Sequence, residues 1–162
     1  MNPMHTLYVT AALVATMSAA RAEVDVTFTA PEKYVDAGLR REGGPSAREV
    51  ALRTIREHLV TLGQRHLAPT QTLKIEVLDV DLAGEIEWWH GPYDIRYLRD
   101  STWPKIKLRY TLDENGQTIR SAEETVSDPS YQMSVIVARS GEVMPHEKAM
   151  LARWFRSRFA PG

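Results

Sequence analysis

Residues 105 to 127 leave the chain little freedom. In "KIKLRYTL" (105–112), Ile106, Leu108, Tyr110 and Leu112 fall on one face and Lys105, Lys107 and Arg109 on the other, the period of a strand with one side in a core. Asn115-Gly116 follows, and Asn-Gly is the strongest short-range hairpin signal, because a type I′ turn needs positive φ at both central residues. The returning strand is "QTIRSAEETVS" (117–127). With a two-residue loop, Leu112 faces Ile119, Lys107 faces Glu124 and Leu108 faces Glu123, which turns the Glu123 carboxylate toward the core. A buried carboxylate needs a partner; failing that, the register slips or a bulge intervenes. Arg96 or Arg99, in the segment before Trp103, is the expected partner.

An antiparallel hairpin must cover its apolar face, and the rest of the chain supplies the cover. "VDVTFT" (24–29) alternates and reads as a first strand ending at Pro31. Gly43, Gly44 and Pro45 punctuate a loop, and a helix starts at Ser46, where Ser46 and Glu49 form a capping box. Ala51, Ile55, Leu59 and Leu62 give it one apolar face; Gly63 or Pro69 ends it. In "LKIEVLDVDL" (73–82) the apolar residues change phase, Leu73, Ile75 and Val77 being odd and Leu78, Val80 and Leu82 even. A β-bulge near Val77 and Leu78 restores one inner face, with Leu78 and Val80 buried and Lys74, Glu76, Asp79 and Asp81 outside. A last helix starts near Pro145 and packs through Leu151, Trp154, Phe155 and Phe159. The order strand, helix, antiparallel strands, helix predicts an α+β fold: a two-layer sandwich, mainly antiparallel, with two helices packed on one sheet face.

The first 22 residues differ in kind. "LYVTAALVATMSAA" is uncharged and mostly apolar, and Ala20-Arg21-Ala22 supplies a small-x-small cleavage pattern, so residues 1–22 read as a secretory signal peptide cut before Glu23. Residues 23–162 are then a single domain of 140 residues, large enough to bury its own core. The chain has no cysteine, which excludes disulfides, thiol nucleophiles and Cys-based metal sites. Without the leader, 19 basic and 21 acidic side chains remain, a balance unlike that of a nucleic-acid binder. No run is long and apolar enough for stable membrane insertion. The expected address is the periplasm or the exterior.

Several stretches are candidates for function. In "WWHGPY" (88–93) the Gly91-Pro92 turn presents Trp88, Trp89 and Tyr93, and exposed aromatics anchor interfaces. Asp79 and Asp81 project the same way from a strand, as a weak D-x-D cation site does, but the cationic face of residues 105–109 pairs with them more simply. Two carboxylates beside aromatics also suit glycoside hydrolysis, which requires one carboxyl of raised pKa. His58 and His66 are eight apart, not the three or four of a helical ligand pair, and His90 and His146 stand elsewhere. No G-x-S-x-G serine or glycine-rich phosphate loop occurs, and no cofactor is expected.

"LKIEVLDVDLAG", "RDSTWPKIKLRYTL", "EETVSD" and "EKAMLARWFRSRF" together resemble a secreted proteobacterial family catalogued only as a domain of unknown function. The resemblance spans Val24 to Phe159 and implies a secreted single domain; it carries no activity. Its blocks place Arg99, Asp100, Glu123, Glu124 and Asp128 near strand ends, where a polar network is expected. With Trp88, Trp89, Tyr93 and Arg96, the residues Arg99, Asp100, Glu123 and Asp128 form the candidate binding set. The leading expectation is a periplasmic accessory or binding protein that is not an enzyme and whose partner is a protein or envelope component. The alternative is a small hydrolase or metal-dependent enzyme using strand-end carboxylates.

Overall fold

The computed structural model describes residues 21–39, 44–87, 95–134, 137 and 140–160, with the backbone alone at 44–46. In chain order the elements are β1 (Glu23–Phe28), α1 (Gly44–His66), β2 (Gln71–Asp81), the short β3 (Glu85–Ile86) and β4 (Arg96–Tyr97), β5 (Lys105–Glu114), β6 (Gln117–Ser127) and α2 (Pro145–Phe159). Four strands form one sheet in the order β1-β2-β5-β6, and β3 pairs with β4 separately. The parallel β1–β2 pair is joined through α1, as parallel neighbours require, and the other two pairs are antiparallel. This is the expected α+β two-layer sandwich.

One face of the sheet is apolar. Leu73, Ile75, Val77 and Val80 from β2 and Ile106, Leu108, Tyr110 and Leu112 from β5 are buried against Ala51, Ile55, Leu59 and Leu62 of α1 and Met150, Leu151, Trp154 and Phe155 of α2. Phe155 is fully buried, and the rings around it meet edge to face: Tyr110 and Phe159 at 5.1 Å and 82°, Trp154 and Phe159 at 5.5 Å and 87°. Such pairs add to the area they bury because the ring edge meets the negative face of its neighbour. Helix α1 begins at Gly44 rather than Ser46, and the Ser46 side chain of the expected capping box lies outside the described residues. Gly63 does not stop the helix, which continues to His66 with Val24 of β1 packed beside Gly63.

Both strands flanking β5 carry one extra residue. In β2 the register shifts between Val77 and Asp79, so the bulge falls at Leu78 as the phase change requires. Leu78, the inserted residue, is only half-buried, which corrects the expectation that it enters the core, whereas Val80 is buried as expected, with Val77 beside the bulge. In β6, Asn115-Gly116 makes the turn and Asp113 faces Thr118, but the next pair is Leu112 with Arg120. Ile119 is the extra residue and is exposed. The shift sets Glu123 opposite Arg109 on the outer face and Glu124 opposite Leu108 on the helix side. Glu123 is therefore not the inward carboxylate; Glu124 is, and it neither needs nor meets Arg96 or Arg99.

The outer face is a lattice of opposite charges. Lys105 pairs with Asp81 at 3.0 Å, Arg109 with Glu76 at 2.9 Å and Glu123 at 2.8 Å, and Lys107 with Glu123 at 2.9 Å. Asp79 lies opposite Lys107 and accepts the Val35 N–H at 2.9 Å. Lys107 first and Arg109 second hold the Glu123 carboxyl below the usual carboxylate range.

Candidate functional site

The sheet end where β2 stops and β5 starts gathers the irregular segments. Asp36 extends the sheet there: its N–H donates to the Val80 carbonyl at 2.9 Å and its carbonyl accepts from Leu82 N–H at 3.0 Å. Across β3 and β4, Arg96 points back into this corner with little exposure. Its guanidinium donates to Asp36 Oδ2 at 2.7 Å and to the carbonyls of Gly38 (2.9 Å), Ala83 (3.0 Å), Gly84 (2.5 Å) and Leu82 (3.3 Å). A guanidinium has five N–H groups, and this one spends them on the chain's own acceptors. Gly84 is required in the corner, with φ +74° and space for a Cβ only 2.7 Å from the Tyr97 carbonyl oxygen. From α2 the buried Glu147 accepts the Ala83 N–H at 2.8 Å. Arg96 is thus a clamp on loop backbone, not a free binding cation.

Arg99 serves a neighbouring network. Its Nε and Nη2 donate to Glu87 Oε1 at 2.8 and 2.5 Å, and Glu87 is buried. The Arg99 carbonyl accepts from Tyr131 O–H at 2.9 Å and from Thr102 N–H at 3.0 Å, which pins the 99–102 turn to the segment after β6. Asp100 stands exposed in that turn.

Beyond Tyr131 opens a pocket of about 390 Å³ between this segment and the first turns of α2. Asp128, Ser130, Tyr131, Ser134, His146 and Arg153 supply its polar lining. Asp128 is already used: Oδ1 accepts the Ser130 N–H at 3.2 Å and Oδ2 accepts from Arg153. His146 is 5% exposed, stacks edge to face on Tyr131 with centroids 5.0 Å apart, and has no hydrogen-bond partner for Nδ1 among the described residues. A buried ring nitrogen without a partner is uncommon enough to ask what it meets.

Glu124 anchors the other side of α2. It accepts from Trp154 Nε1 at 3.1 Å, from Arg158 Nε at 3.0 Å and from Tyr110 O–H at 3.3 Å. The Arg158 bond first, with Trp154 and Tyr110 adding, holds its carboxyl below the usual range against the opposing effect of burial.

The structure brings together Arg99 and Asp128 through Tyr131, and keeps Arg96, Glu123, Asp79 and Asp81 in separate ion pairs or backbone contacts. Trp88, Trp89 and Tyr93 lie outside the described residues. Among the described residues no group of three or more His, Asp or Glu is arranged to hold a metal ion, and no helix is long and apolar enough to cross a membrane. The residues that sequence reasoning passed over are Asp36, Glu87, Tyr131, His146 and Glu147. A signal existed for the last two, since both follow Pro145 in the first turn of a helix whose apolar face must face the sheet.

These features define an α+β domain with a charged outer sheet and a polar pocket at one end of its second helix. The chain belongs to the family described as a protein of unknown function, DUF3016, which it matches over residues 22–157. Comparison with curated proteins and with solved structures gave no match.

Proposed function

We propose that this chain is a non-catalytic accessory or binding protein of a secreted proteobacterial family, acting in the periplasm or outside the cell. The commitment of its carboxylates carries the reading: Asp81, Glu76 and Glu123 serve ion pairs across the sheet, and Glu124 holds α2. A general acid needs a raised pKa, whereas Glu123 and Glu124 are both shifted down. The hydrolase alternative would have to draw its acid from such groups.

The address rests on the apolar leader and its Ala20-Arg21-Ala22 cleavage pattern. Strand β1 begins at Glu23, the residue that cleavage would expose. The partner is a protein or envelope component, engaged through the Trp88, Trp89 and Tyr93 stretch, whose flanks are Glu87, held by Arg99, and the exposed Ile95.

The test is expression of the full chain followed by fractionation, N-terminal analysis and cross-linking in periplasmic extract. A mature N-terminus at Glu23 and a cross-linked partner lost on Trp88→Ala with Trp89→Ala are expected. An intact Met1 in periplasmic material overturns the address. A hydrolytic activity abolished by Glu123→Gln without loss of stability overturns the non-catalytic reading.

A further inference from the structure

The pocket at the start of α2 is rich in donors and poor in acceptors. Arg153 is half-exposed and spends one nitrogen, Nη2, on Asp128; its Nε and Nη1 make no hydrogen bond among the described residues. The Ser134 hydroxyl oxygen accepts the Val137 N–H at 3.3 Å, which leaves its O–H to donate. Ser130 donates its backbone N–H to Asp128 and accepts the Met133 N–H at its carbonyl, while its hydroxyl makes no hydrogen bond among the described residues. Asp128, the one acid of the lining among the described residues, has both oxygens engaged. His146 is buried with an unpartnered nitrogen, in the first turn of a helix of 15 residues whose positive end lies there. Glu147 of the same turn is directed to Ala83 and is not part of the pocket lining.

We propose that this pocket binds a carboxylate group, held by His146, Arg153 and the hydroxyls of Ser130 and Ser134. The inference rests on the binding reading above and names its ligand chemistry. Formal charge decides the class: Asp128 offsets Arg153, so the excess positive potential is the partial charge of the helix end, which suits a single negative charge. A phosphate of nearly two charges calls for a cluster of arginines. The volume of about 390 Å³ lies at the small end of ligand pockets, which suits a small organic acid or the terminal residue of a peptide.

The two sources share their chemistry and separate by titration. The isotope-labelled full chain is titrated with N-acetylglycine, N-acetylglycinamide, methyl phosphate, and a tripeptide with a free or an amidated C-terminus, while the His146 ring and the Ser130 and Ser134 amides are followed by NMR. Saturable shifts with N-acetylglycine, absent with its amide, support the proposal, and the free-acid tripeptide reports whether a peptide end also fits. Arg153→Gln, at a half-exposed position that leaves the core intact, is expected to weaken binding at least tenfold, and His146→Gln likewise. No saturable shift up to tens of millimolar, equal binding of the amide, or preference for methyl phosphate overturns it. Loss of this proposal with retained Trp88- and Trp89-dependent cross-linking leaves the binding reading standing; hydrolysis of a titrant sinks that reading instead.

Discussion

A Cβ built on Gly63 would stand 2.2 Å from Cγ2 of Val24, so helix α1 touches β1 at a point where only a glycine fits. Glycine inside a helix costs about 1 kcal/mol relative to alanine, and here that loss permits the close approach of the two elements. Gly63→Ala is therefore expected to destabilise the fold despite its better helix propensity, by about 1–3 kcal/mol for an overpacked contact. Val24→Ala in the same chain should recover much of the loss. Urea midpoints of the four proteins of this cycle check it; a stabilised Gly63→Ala would contradict the packing.

Glu124 and Glu123 are adjacent yet have opposite surroundings, and their substitution separates them. Glu124→Gln is expected to cost about 1–2 kcal/mol, because Trp154 Nε1 and Arg158 lose a charged acceptor at a part-solvated site. Glu123→Gln, on the solvated outer face, should leave the midpoint nearly unchanged. The lowered pKa of Glu124 means that its contribution is complete above the ordinary value of 4.5 and disappears as pH falls through the folded value. Acid unfolding followed by tryptophan fluorescence should accordingly begin earlier in Glu124→Gln.

The hairpin shows how far sequence can see. Asn115-Gly116 located the turn, and the alternation of 105–112 located the inner face. The bulge at Leu78 was legible because β2 has a buried face whose apolar residues change phase. The bulge at Ile119 was not, because β6 is an edge strand exposed from Gln117 to Ser121 and has no apolar phase there to break. That one unseen residue exchanged the roles of Glu123 and Glu124. The candidate site was legible only in fragments: Arg96, Arg99 and Asp128 stood out as charges, but their partners Asp36, Glu87 and Tyr131 come from segments whose meeting depends on tertiary contacts.

Arg96 offers a second test of those contacts. With Asp36 and four carbonyls depending on it in a poorly solvated corner, Arg96→Ala is expected to cost about 3–5 kcal/mol. Arg96→Lys should restore little, since an ammonium has three donors and no planar fork. Hydrogen exchange at Leu82 and Ala83 checks the site of the damage: both amides should lose protection in Arg96→Ala ahead of those in β5.

His58 predicts a pH dependence of the opposite flank. Its Nε2–H donates to the Lys148 carbonyl at 2.9 Å, and burial, with Lys148 and Arg65 adding, pushes the ring's pKa below 6.5 against the pull of Glu142. The unfolded chain then takes up a proton more readily than the folded one. Stability is full above pH 6.5, falls as pH drops toward the lowered folded value, and levels below it. His58→Gln should remove this segment of the stability curve, measured as urea midpoint against pH.

The bond from Ala83 N–H to Glu147 joins residues 64 positions apart, and the fully buried Phe155 lies still farther along. A ribosome releasing this chain delivers the sheet's inner face, including Leu108 and Tyr110, before the helix that covers it. Until Pro145–Phe159 arrives, that face has α1 alone and the Glu124 carboxylate lacks both Trp154 and Arg158. Cooperative closure of the sheet therefore waits for α2, and a chaperone that shields an apolar sheet would find its client in the interval before that helix docks.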